Sequence, residues 1–122
     1  PYIWAANELN RFMVQVQKCD IILANLNDFR GWEPCNDTAF ECGAAFQIGK
    51  KLYGYMDDTT RMIDRIPNFG KESEYKDECG NFVENFDYPI NLMFSSSMKI
   101  FEGAFESIIS EVVEDLKLNE IN

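Results

Sequence analysis

The sequence predicts an α/β domain built on an open parallel sheet with helices on both faces, and three observations predict it. The run Cys19-Asp20-Ile21-Ile22-Leu23-Ala24-Asn25-Leu26 is continuous and apolar after Asp20, as in a strand buried on both faces. Segments of helical period alternate with such runs, the pattern of a parallel sheet with crossover helices. A loop rich in polar residues, with Gly31 and Pro34, joins the first run to a helix, and open α/β sheets place their ligands at such loops.

The elements follow in order. Leu9, Phe12, Met13 and Val16 recur at helical spacing, which predicts an amphipathic helix over residues 3–18. The first strand is Ile21 to Leu26, followed by a loop over 27–36. A helix over 37–48 ends at Gly49, where helices favour a glycine. Leu52 to Met56 is the next strand, and Asp57 to Ile66 holds a short helix closed by Pro67. Residues 68–88 carry Glu72, Glu74, Asp77, Glu78, Glu84 and Asp87 among scattered aromatics and read as a long surface loop. Ile90 to Phe94 is a helical turn, Met98 to Phe101 a strand, and Phe105, Ile108, Ile109, Val112, Val113 and Leu116 mark a closing helix over 103–118. Three strands are few for such a sheet. Either Tyr2 to Ala6 forms another, or the fold lacks its leading N-terminal strand in this chain; the second reading is preferred.

Length and charge bound the function. One domain spans residues 1–122. Hydrophobic residues make up 46%, with ten Phe, five Tyr and two Trp, enough for a core. A net charge of −10 argues against nucleic acid, whose binding rests on Lys and Arg releasing counterions. It argues equally against an anionic membrane surface, and no apolar run approaches the roughly 20 residues that span a bilayer. No signal peptide is legible. There is no His, so the usual general base and metal ligand is absent. Cys19, Cys35, Cys42 and Cys79 match no zinc spacing and read as reduced thiols of a cytoplasmic protein. No metal or cofactor is expected.

Glu41 is the first candidate for chemistry. Thr38-Ala39-Phe40-Glu41 fits a capping box, in which Glu41 would only satisfy the helix start. Alternatively Glu41, in the first turn, is a carboxylate kept ionised by the helix dipole and aimed into the cleft as a nucleophile. Gly31 permits a tight turn or close approach of a ligand, and Arg30 can clamp a carboxylate or phosphate; a solvated turn explains Asp28, Arg30 and Gly31 equally. Asp37 reads most simply as an acid favoured at a helix N-terminus. Cys35 has no His to activate it. Asn91 and Met93 read as turn and packing residues.

Taken together these segments resemble the nucleoside 2-deoxyribosyltransferase family, closest to its trypanosomatid-type and related bacterial members. The resemblance runs from Cys19 to the closing helix. Its anchors are Cys19 to Leu26, Phe29-Arg30-Gly31-Trp32-Glu33-Pro34, Thr38-Ala39-Phe40-Glu41-Cys42-Gly43, Gly49-Lys50 and Ile90-Asn91-Leu92-Met93. It implies a flavodoxin-like domain that assembles as a homodimer or higher homo-oligomer. It also implies cleavage of the N-glycosidic bond of a 2′-deoxynucleoside and transfer of deoxyribose to another free nucleobase. Glu41 would be the nucleophile, forming a covalent deoxyribosyl ester, with Phe29, Arg30 and Gly31 lining the pocket. Asn91 and Met93 would reach a neighbouring subunit's site.

The chain departs from the family pattern in the loop before Glu41. Cys35 stands where the family has an Asp that holds the sugar, and Asp37 stands where it has Gly. Asp37, or Asp28, is the candidate to supply that carboxylate. Two other functions fit the same residues. One is a hydrolase of deoxynucleoside 5′-monophosphates, with Arg30 and Ser95-Ser96-Ser97 near the phosphate. The other is a nucleoside-binding paralogue without turnover.

Overall fold

Period-two alternation along three short strands sends their side chains to two faces, and helices cover each face. The computed structural model describes residues 1–70 and 74–121. Its elements are α1 (Tyr2–Lys18), β1 (Ile21–Asn25), α2 (Asn36–Gln47), β2 (Lys51–Met56), α3 (Met62–Arg65), α4 (Leu92–Ser97), β3 (Lys99–Glu102) and α5 (Phe105–Ile121). The strands form one sheet in the order β1-β2-β3. Both pairings are parallel, with Leu23 opposite Tyr53 and Tyr55 opposite Phe101. The α/β, flavodoxin-like architecture expected from the sequence is the one observed.

One face packs Ala24 of β1, Leu26 just after it, and Leu52 and Met56 of β2 against Val16 of α1, Cys42 and Ala45 of α2, and Phe94 of α4. The opposite face packs Tyr53 against Ile108 and Val112 of α5, with Ile21, Leu23 and Phe101 beside them. The buried Tyr53 hydroxyl donates to Asp115 at 2.6 Å, and Lys99 donates to the same carboxylate at 2.9 Å, tying α5 to β2 and β3. Burial, then the Asp115 bond, push the Tyr53 hydroxyl up to about 12. Gly54 lies where the sheet meets side chains: an added Cβ would sit 2.5 Å from Leu26 Cδ1 and 2.9 Å from Met98 Sδ.

Several boundaries differ from the sequence expectation. Tyr2 to Ala6 is helical, part of α1, not a strand. Only the C-terminal half of α1 packs inward, at Met13 and Val16; Leu9 and Phe12 are exposed. The short helix expected within 57–66 is α3, at Met62–Arg65; ahead of it Thr59 and Thr60 are drawn into bonds with the Glu102 and Asp58 side chains. The turn at 90–94 is the start of α4, and the last strand lies one residue later than expected. The closing helix buries Ile108 and Val112 but leaves Phe105, Ile109 and Val113 largely exposed. Among the described residues, the acidic segment over 68–88 is a loop as expected. It is tied down where Phe69 pairs with Lys76, Lys76 pairs with Phe82, and Val83 packs on Met62 and Ile66. Glu72 lies outside the described residues.

Candidate functional site

The candidate site is built around α2. At its start Cys35 is the N-cap, in an extended conformation, and makes no side-chain capping bond. The helix begins at Asn36, so Asp37 is the acid of the first turn and Glu41 lies a turn further on. This removes the capping box: Thr38 is already helical, and Glu41 is too far along to reach back. The helix starts early because Asn36 and Asp37 suit the positive end of the dipole. At its end Gly49, with φ of +81°, closes a Schellman motif. Its N–H donates to the Phe46 carbonyl, and that of Lys50 donates to Ala45.

Glu41 is half-buried, and among the described residues its carboxylate accepts no hydrogen bond and joins no ion pair. Its pKa is raised by burial and by the Asp37 charge one turn earlier. The helix dipole fades beyond the first turn, so it does little for Glu41 here, and desolvation and Asp37 act against the ionised form. The neighbouring Cys42 thiol is pushed up to about 11, first by burial and then by Glu41, so it stays protonated near neutrality.

An open apolar groove of about 400 Å³ runs between α2 and α4. Ala39, Cys42, Gly43 and Phe46 form one wall, and Asn91, Leu92, Met93 and Phe94 the other. The structure thus brings the helix that carries Glu41 against the segment that carries Asn91 and Met93, although Glu41 is not itself among the lining residues. Asn91 caps α4: its Oδ1 accepts from the N–H groups of Met93 at 3.1 Å and Phe94 at 3.2 Å. Met93 is 76% exposed at the rim. Ser95 and Ser97 turn their hydroxyls onto the Ile90 and Phe94 carbonyls.

Phe29, Arg30 and Gly31 stand apart from that groove, in the loop beyond the carboxyl end of β1. Arg30 and Glu33 exchange backbone bonds around Gly31, whose φ is +63°. Phe29 is 67% exposed, and the Arg30 guanidinium has no partner among the described residues. The flanking Asp28 and Trp32 border a second cavity of about 450 Å³ with Asp57, Asp58 and Arg65 at the carboxyl ends of β1 and β2. Arg65 is the residue that sequence reasoning passed over. It donates to Asp28 and to the Pro89 carbonyl, and nothing local in the sequence marks it. Among the described residues no three His, Cys, Asp or Glu side chains converge into a metal site, and no helix is long and apolar enough to cross a membrane.

Comparison with known proteins agrees with this architecture. The family model described as nucleoside 2-deoxyribosyltransferase matches residues 2–93, which include α1 to the Asn91–Met93 segment. A solved structure of a 2-desoxiribosyltransferase from Leishmania mexicana superposes with a TM-score of 0.74 at 34% identity, over 90% of this chain and 68% of that one. No curated protein matches the chain. With most of its length matched by the family model and its fold shared with a solved relative, this chain belongs to the nucleoside 2-deoxyribosyltransferase family.

Proposed function

We propose that the protein transfers deoxyribose between bases, with Glu41 as nucleophile. The observation that carries this reading is the state of Glu41, a partly desolvated carboxylate with no partner among the described residues, on a helix that borders an apolar groove. A carboxylate engaged in a cap or an ion pair would first have to break that bond. Attack at the anomeric carbon forms the deoxyribosyl ester as the C–N bond to the base breaks, and the leaving base takes up a proton. An incoming base then displaces the carboxylate and restores Glu41. Splitting the exchange into two displacements through an oxocarbenium-like transition state is the logic of retaining glycosidases.

The apolar groove and the exposed Met93 support a homodimer or higher homo-oligomer, in which Asn91 and Met93 of one protomer complete the neighbouring site. Phe29, Arg30, Gly31 and Asp37 complete the pocket in this reading, and a small 2′-deoxynucleoside and a free base are its substrates.

The test is product analysis of a purified 2′-deoxynucleoside incubated with and without a second base. The expected product is the new deoxynucleoside, formed only when the acceptor is present. Free base and deoxyribose without dependence on the acceptor would identify a hydrolase, and binding without turnover would identify a degenerate paralogue.

A further inference from the structure

The loop with Phe29, Arg30 and Gly31 and the segment with Asn91 and Met93 are far apart in sequence, and a single buried side chain bridges them. The Arg65 side chain is 9% exposed. Its Nη1 donates to both carboxylate oxygens of Asp28, at 3.2 and 3.3 Å, and its Nη2 donates to the Pro89 carbonyl at 3.0 Å. Asp28 immediately precedes Phe29, and Pro89 lies two residues before Asn91.

The base of the bridge is firm. Met62 and Ile66, on either side of Arg65, are buried with Val83 against Trp32 of the first loop. The Met62 N–H also donates to the Tyr88 carbonyl at 2.8 Å. Arg65 is moreover a cation among acids: Glu33, raised first by burial, and Asp58, lowered first by its bonds from Thr60, both feel its charge, which acts downward on each. A planar guanidinium holds two acceptors lying in different directions at once, which a lysine ammonium does not reproduce.

We propose that Arg65 is a positioning residue that clamps the Asp28 end of the Phe29–Gly31 loop to the Pro89 end of the Asn91–Met93 segment. In doing so it fixes the loop that lines this protomer's pocket relative to the segment that completes the neighbouring one. That last role rests on the transferase reading above. The clamp itself does not.

The experiment compares the full chain with Arg65→Lys and Arg65→Gln, using amide hydrogen exchange and base-exchange kinetics. Amides over 27–35 and over 88–94 are expected to exchange at least about threefold faster in both variants, while β1, β2 and β3 keep wild-type rates. KM for the deoxynucleoside is expected to rise about tenfold, the equivalent of one charge-assisted bond, with kcat within about twofold. Faster exchange confined to α3, or spread evenly over the sheet, would overturn the clamp. So would a fall in kcat at unchanged KM, which is the mark of a merely unstable enzyme. If the wild type exchanges no bases, the transferase reading fails alone, and the exchange pattern of the two loops still decides the clamp.

Discussion

Glu41 owes its character to its burial, to Asp37 on its own helix and to what it lacks. Burial and the Asp37 charge raise its pKa, so its ionised form is the less favoured one relative to an exposed glutamate. Activity that needs the carboxylate is therefore lost on acidification at a higher pH than an exposed glutamate would give. Asp37→Asn removes one of the two causes and is expected to move the acid limb of kcat/KM downward. A limb that stays in place would show that burial alone sets it. Cys35 is a second residue-scale case. It occupies the N-cap without a side-chain bond, and an Asp there would accept from the first-turn N–H groups. Cys35→Asp is expected to stabilise the fold by about 1 kcal/mol in thermal melts. It is also expected to raise turnover, by restoring a carboxylate at the position where the family carries one.

The elements that were legible in the sequence are those with local signals. The run from Ile21 to Leu26, the glycine stop at Gly49 and the helical period of α5 each depend on residues within a few positions of one another. The match of Thr38 and Glu41 to a capping box was also a local signal, and it misled. The pattern did not say where the helix starts, and Asn36 and Asp37 moved that start two residues ahead of Thr38. Arg65 was illegible for the opposite reason. Its partners lie 37 and 24 residues away, and only the folded chain brings them together. Gly54 likewise reads as a weak strand residue until Leu26 and Met98 are seen against it. Gly54→Ala forces those side chains aside and is expected to cost about 1–3 kcal/mol in denaturant unfolding. An unchanged midpoint would mean that Leu26 and Met98 shift freely.

At the scale of the molecule, the described chain leaves much apolar surface uncovered. Tyr2, Ile3 and Trp4 of α1 stand in solvent, as do Phe40 of α2 and, lining the α2–α4 groove, Phe46 and Met93. A second groove between β1 and α5 is lined by Ile21, Leu23, Ile109 and Val113 among others. Contiguous apolar surface of this kind marks interaction sites in soluble proteins. The groove beside Glu41 is the one that self-association is proposed to cover. Sedimentation is expected to find a dimer or larger species. Met93→Glu is expected to shift it toward monomer and to remove base exchange together, whereas a fully active monomer would contradict a shared site.

All of this converges on whether Glu41 forms a bond to the sugar. Intact mass of the protein mixed with a 2′-deoxynucleoside, with no acceptor base present, reads that bond directly. An adduct of deoxyribosyl mass is expected, one that vanishes on adding a base and never forms in Glu41→Ala, although that variant melts within a few degrees of the wild type. Base exchange without an adduct, or an adduct that persists in Glu41→Ala, would contradict that bond.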